Sequence, residues 1–211
     1  MFERLGDEYR RFAENVLAAL QTKKGGQVLE IGPGPGWAGL CLLEKRPDLR
    51  LLGIDASPDM LRAARANAEA QGLGARCEYR EGHAETLEGV EAGSVDLVIS
   101  RDSLHHWDDP AKAFSAIRRV LAPTGGAFIA DGRRDLSLGA RLFVGTIGSI
   151  TAGPMAKYWK SSLAAAYTPE ELREFCALSA SERPGREWRV KEGFLDLAAI
   201  GLPLHTAAAC R

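Results

Sequence analysis

Three glycines spaced two apart, Gly32, Gly34 and Gly36, follow an apolar run in "VLEIGPGPGWAGL". About 20 residues after the last of them, Asp55 closes a second apolar run, "LRLLGID". Glycine lets a ligand approach the backbone closely, and a carboxylate at that distance suits the hydroxyls of a ribose. The spacing is not the G-x-G-x-x-G of a dinucleotide site, because Trp37 stands where the third glycine belongs. Pro33 and Pro35 also remove two N–H donors from the loop that would have to hold a pyrophosphate. An adenosine without phosphates fits this loop better. Further along, His105 and His106 follow the run "VDLVIS". Imidazole titrates near neutrality and takes up protons, and the ends of parallel strands are where ligands bind in open α/β sheets.

The elements that must position these groups alternate. "QVLEIG", "LRLLGID", "ARCEYREG", "SVDLVIS" and "GGAFIAD" read as strands, mostly as continuous apolar runs. Helices fall between them: "WAGLCLLEKR", "PDMLRAARANAEAQ" behind the cap Ser57, and "PAKAFSAIRRVL" behind Asp109. A parallel sheet covered on both faces follows. Phe2, Leu5, Tyr9, Phe12 and Val16 lie on one face of a leading amphipathic helix. From Gly132 to about Ala166 the rhythm fails, in a segment that contains Met155, Tyr158 and Trp159. These aromatics, with Tyr167, are expected either in the core or lining an acceptor pocket. Thr168, Pro169 and Glu171 form a capping box for a helix through "PEELREFCAL", and "EWRVKEGFLDLAAIG" reads as an antiparallel hairpin.

The sequence resembles the class I S-adenosylmethionine-dependent methyltransferases, and especially the small ones that act on diverse metabolites. "VLEIGPGPG" is similar to the first motif of that family, which implies Glu30 as the anchor of the loop and Gly32, Pro33, Gly34 and Gly36 beside the methionine part of the cofactor. "GIDASPDML" implies Asp55 on the ribose, with Ala56 and Met60 against the adenine. "EGHAETL" implies His83 and Ala84 flanking the adenine, and "VDLVISRDSLHHW" implies Ser100 and Arg101 near the methionine end. Many relatives carry Asp where His83 stands, and a neutral imidazole still accepts a hydrogen bond through one ring nitrogen. The resemblance implies an α/β fold, a Rossmann-like, doubly wound, mostly parallel seven-stranded sheet with an antiparallel C-terminal hairpin. It further implies one domain over 1–211, with an N-terminal helical cap over 1–24 and an acceptor-side insertion over 132–167. Methyl transfer to a small-molecule acceptor is the expected activity, with S-adenosyl-L-methionine as cofactor and His105 or His106 as candidate proton acceptors. Two other readings stay open: a module that binds the same cofactor without turnover, and a nicotinamide-dependent oxidoreductase, which the glycine spacing and the prolines disfavour.

Composition sets the outer bounds. The 211 residues, 45% hydrophobic, suffice for one sizeable core. With 27 Lys and Arg against 28 Asp and Glu, no long-range field favours nucleic acid. The start, "MFERLGDEYRRFAENV", lacks the pattern of a secretory signal and no apolar run is long enough to span a bilayer, so a cytoplasmic location is expected. Cys41, Cys77, Cys176 and Cys210 lack metal-site spacing, so free thiols and no metal are expected, and His205 reads as structural or solvated.

Overall fold

In the computed structural model, residues 2–146, 156–182 and 186–203 are described, with side chains described for 6–146, 161–178 and 186–202. Helix α1 (Phe2–Ala19) leads into β1 (Gln27–Ile31), α2 (Trp37–Lys45), β2 (Arg50–Asp55), α3 (Pro58–Ala70), β3 (Cys77–Glu81) and β4 (Val95–Arg101). Then come α4 (Pro110–Val120), β5 (Leu121–Gly132), α5 (Leu138–Gly145), α6 (Ala156–Ala165), α7 (Pro169–Glu182), β6 (Arg186–Glu192) and β7 (Asp196–Pro203). The seven strands form one sheet in the order β3-β2-β1-β4-β5-β7-β6. Strands β1 to β5 run parallel, while β7 pairs antiparallel with both β5 and β6. The expected doubly wound sheet with its C-terminal hairpin is therefore present.

Alternation along each strand explains why both faces are covered. Val28, Leu97, Ile99 and Phe128 face α1, α2 and α3 in one buried cluster, which includes Phe12, Val16, Leu40 and Leu61. Leu29, Ile31, Val98 and Ile129 point the other way, into a cluster with Phe114 and Ile117 of α4 and Leu172 of α7. Phe12 of α1 meets Phe128 edge-on at 5.6 Å, so the second half of the leading helix belongs to the core. Phe2 and Leu5 have side chains outside the described ones.

The helix starts follow their sequence signals. Ser57 Oγ accepts from Met60 N–H and Asp109 Oδ1 from Lys112 N–H, each with proline at the first helical position. The capping box is reciprocal: Thr168 Oγ1 accepts from Glu171 N–H at 3.2 Å, and Glu171 Oε2 accepts from Thr168 N–H at 2.7 Å. Two boundaries differ. Helix α4 ends at Val120 and β5 begins at Leu121, because Leu121 and the pre-proline Ala122 are extended. Within the irregular segment, α5 and α6 form where no element was expected, and residues 147–155, Met155 among them, lie outside the described residues. Cys41, Cys77 and Cys176 are free thiols; Cys210 and His205 lie outside the described residues. No helix among the described residues is long and apolar enough to cross a membrane, and they hold no cluster of metal-ligating side chains.

Candidate cofactor site at the sheet switch point

The strand order reverses between β1 and β4, so the loops that leave their carboxyl ends diverge and open a crevice. A cavity of about 520 Å³ lies there. Its floor is the glycine loop, and its shape depends on left-handed backbone at three positions. Gly32, Gly34 and Gly36 have φ of +63°, +53° and +86°, a region that costs other residues roughly 1–2 kcal/mol each. At Gly32 a Cβ would also stand 1.9 Å from Ser103 Oγ, while at Gly34 it would meet nothing within 4 Å.

Asp55 joins the loop to the next strand. Its Oδ2 accepts from Gly34 N–H at 3.0 Å and its Oδ1 from Ser57 N–H at 2.9 Å. Each carboxylate oxygen keeps a further lone pair, enough for two hydroxyls on one ligand. Ala56, Met60, His83 and Ala84 line the cavity with Ile54, a largely apolar set suited to a purine. Asp102, Ser103, His106 and Trp107 also line it. Among the described residues, four carboxylates line the cavity, Asp55, Glu85, Asp102 and Asp108, and no Lys or Arg does. That balance repels a pyrophosphate and favours a ligand that carries positive charge. With its side-chain-free floor, its ribose-type acceptor and this sign of charge, the cavity fits S-adenosylmethionine, a sulfonium with a nucleoside and no phosphate.

Several expected site residues stand behind this lining. Glu30 is buried, and its Oε1 accepts from Gly39 N–H at 3.0 Å in the first turn of α2, which holds the loop from below. Burial first, then repulsion by Asp55, pushes its carboxyl up to about 8. Gly36 caps α2 in the left-handed region, and its N–H donates to the carbonyl of Pro33 at 2.8 Å. Neither Pro33 nor Gly36 lines the cavity; Pro35 does.

Two placements correct the expectation. Ser100 is fully buried and its hydroxyl donates to the Ile31 carbonyl at 2.8 Å, so it ties β4 to β1 and does not line the cavity. Side chains alternate along β4, so the adjacent Arg101 points to the opposite face of the sheet, toward α1. There it pairs with Glu8 and lies 5.6 Å from the Tyr9 ring and 5.5 Å from the Phe12 ring.

The two histidines divide. His106 lines the cavity, and burial followed by repulsion from His105 lowers its pKa. His105 does not line it. Its side chain is 4% exposed, and Nδ1 lies 2.8 Å from Oδ1 of Asp131, itself 2% exposed at the end of β5. Burial alone would lower the His105 pKa, but the Asp131 carboxylate outweighs that and raises it. Sequence reading missed Asp131, although its place at the carboxyl end of a strand adjacent to β4 was a usable signal. Ser103 and Trp107 were missed as well. They enter because Gly32 leaves room for Ser103, whose Oγ also accepts from Trp107 Nε1 at 3.2 Å.

Residues 29–129 match the methyltransferase domain family. Among curated proteins, the chain is 32% identical over 165 residues to the ubiquinone biosynthesis O-methyltransferase of Caulobacter vibrioides, covering 76% of this chain and 61% of that protein. It is 30% identical over 127 residues to the erythromycin 3''-O-methyltransferase of Saccharopolyspora erythraea, covering 60% of this chain and 41% of that protein. The chain thus spans less than two thirds of either relative's length. In fold it is similar to a S-adenosylmethionine-dependent methyltransferase from Aquifex aeolicus, with a TM-score of 0.68 at 20% identity and 96% of both chains covered. It is also similar to the Haemonchus contortus phosphoethanolamine N-methyltransferase 2 in complex with S-adenosyl-L-methionine, with a TM-score of 0.63 at 24% identity, over 85% of this chain and 37% of that one. Sequence match and sheet topology agree with the chemistry of the cavity: residues 29–129 belong to the methyltransferase domain family, within a chain that has the fold of S-adenosylmethionine-dependent methyltransferases.

Proposed function

We propose that the protein transfers a methyl group from S-adenosylmethionine to a small-molecule acceptor. The observation that carries this reading is the cavity at the switch point, with Asp55 beside a glycine loop and no Lys or Arg among the described residues of its lining. Asp55 receives the ribose hydroxyls, Gly32 and Gly34 admit the methionine part, and Ala56, Met60, His83 and Ala84 hold the adenine. Glu30, Pro33 and Gly36 keep the loop in shape. Ser100 and Arg101 act indirectly, through β1 and α1.

The sulfonium supplies an activated methyl group. The chain's own work is to align the acceptor with it, exclude water and receive a proton where the acceptor carries one. His105 and His106 are the candidates for that last task. The names of the two relatives speak of O-methylation of small molecules, which supports the acceptor class. Residues 132–167 are the proposed acceptor-side insertion, and the chain 1–211 is proposed to act as one domain. None of the described residues in 132–146 or 161–167 lines the cofactor cavity. Tyr158 and Trp159 fall on α6, and their side chains lie outside the described ones.

The test is transfer of labelled methyl from S-adenosylmethionine to a panel of small hydroxyl, amine and thiol compounds. Turnover of at least one is expected. Tight binding of S-adenosylhomocysteine with no turnover of any would favour the binding-module reading.

A further inference from the structure

A second cavity, of about 330 Å³, lies between α1, β5 and the β6–β7 hairpin. It shares no lining residue with the cofactor cavity, and its volume falls at the small end of small-molecule sites, roughly 300–1,000 Å³. The walls are apolar and mostly short: Phe12 and Ala19 of α1, Phe128 and Ala130 of β5, Ala198 and Ile200 of β7. Four charged side chains stand around them, Arg101, Lys191, Glu192 and Asp196. Two are engaged elsewhere. Arg101 pairs with Glu8, and Glu192 meets Arg133 at 3.2 Å and Arg173 at 2.6 Å. Lys191 and Asp196 make no ion pair among the described residues. The register brings these two together: Lys191 stands opposite Ala198, and Asp196 precedes Ala198 by two, so alternation turns both toward the α1 side of the sheet. Diagonal neighbours of this kind are roughly 7–8 Å apart. The result is one spare cation and one spare anion beside an apolar floor.

We propose that this cavity is a second binding site, that its ligand is an apolar α-amino acid, and that its occupancy is coupled to the cofactor cavity through Arg101 and Asp102. An α-amino acid carries a carboxylate and an ammonium on one carbon, which answer Lys191 and Asp196, and its apolar side chain answers the Phe and Ala walls. A phosphate compound would bring its charge against Asp196 and Glu192, with a single spare cation to offset it.

The coupling follows from adjacent residues. Arg101 lines this cavity, and its Nε lies 3.2 Å from Oδ2 of Asp102, which lines the cofactor cavity. Its guanidinium also rests against the Tyr9 and Phe12 rings, and Phe12 is a wall of the second cavity. Asp102 holds left-handed backbone, φ +52°, a conformation that persists only where its surroundings fix it. A ligand packed against Phe12 and Arg101 narrows the positions open to both, and with them to Asp102, so it should favour cofactor binding. Linkage makes the effect reciprocal. The site itself stands apart from the methyl-transfer reading; the coupling rests on the cofactor part of that reading.

The test is a titration of the full chain, followed by proton–nitrogen NMR, with L-leucine and L-phenylalanine. Their one-charge analogues are titrated beside them: isopentylamine, 4-methylpentanoate, phenethylamine and 3-phenylpropanoate. At least one amino acid should shift the amides of Ala130, Gly193 and Ala198, and its analogues should bind ~10-fold more weakly or worse, each having lost one charged contact. K191Q and D196N should each weaken amino-acid binding by about 10-fold. Both should leave S-adenosylhomocysteine affinity unchanged when no amino acid is present, since neither residue lines the cofactor cavity. Saturating the wild type with the amino acid should tighten S-adenosylhomocysteine binding ~5-fold or more. Absence of shifts at those amides would overturn the site, as would unchanged amino-acid affinity in both variants. A dimer in solution with this face buried would also overturn it, by giving the groove to a second copy. Equal binding of amino acids and analogues would overturn the ligand class, and an S-adenosylhomocysteine affinity indifferent to the amino acid would overturn the coupling. Failure to bind S-adenosylhomocysteine at all would fall on the cofactor reading and take the coupling with it, while the amino-acid titration still decides the site.

Discussion

Replacing Glu30 with Gln should change how stability depends on pH, and the size of the change follows from burial. The carboxyl is 2% exposed and pushed up from 4.5 to about 8, by burial first and by Asp55 next. Between those values the native chain holds a proton that the unfolded chain has released. Stability therefore falls as pH rises through the window, by about 1.4 kcal/mol per pH unit from this group alone. From pH 4.5 to 7 the loss sums to roughly 3 kcal/mol, an order-of-magnitude figure. Gln is neutral at every pH, and its carbonyl still accepts from Gly39 N–H. Urea unfolding of both proteins at pH 5, 6, 7 and 8, followed by tryptophan fluorescence, gives the difference curve. The wild type should lose ground to Glu30→Gln steadily across this range and level off above pH 8. Parallel stability curves would refute the reasoning, since they require Glu30 to have the same affinity for a proton folded and unfolded.

Three other outcomes are expected. Asp55→Ala should weaken S-adenosylhomocysteine binding by roughly 1.5–3 kcal/mol, measured by calorimetry. It should also lower the melting temperature, because the Gly34 and Ser57 N–H groups lose their acceptor. Gly32→Ala should cost roughly 1–2 kcal/mol in backbone strain, and the contact with Ser103 Oγ should add about 1–3 kcal/mol; thermal unfolding reads the sum. Substituting Tyr158 and Trp159 together should impair turnover more than cofactor affinity, whereas equal loss of both would assign them to the fold.

The parallel part of the sheet was legible because its strands are buried on both sides and read as unbroken apolar runs, and because Ser57, Asp109 and Thr168 mark helix starts. Helices α5 and α6 were not legible. Helix α5 shows solvent Leu138 and Leu142, 76% and 60% exposed, so no apolar stripe marks its buried face, which is made by the small Ala140 and Val144. The glycine loop and Asp55 were legible because positive φ and a distant carboxylate leave marks on residue type. The fate of Ser100 and Arg101 was not, since strand alternation sends one into the sheet interior and the other toward α1. The Asp131–His105 pair joins residues 26 apart and needed the β4–β5 register to become visible.

The central claim is that the cavity at the β1–β4 switch point holds a nucleoside sulfonium cofactor and not a dinucleotide. Isothermal titration calorimetry of the wild-type chain with S-adenosylhomocysteine, and separately with NAD, tests it most directly. The account predicts one-to-one binding of S-adenosylhomocysteine, lost or sharply weakened in Asp55→Ala, and no measurable heat with NAD. NAD binding as tight as S-adenosylhomocysteine, or no binding of S-adenosylhomocysteine, would contradict it.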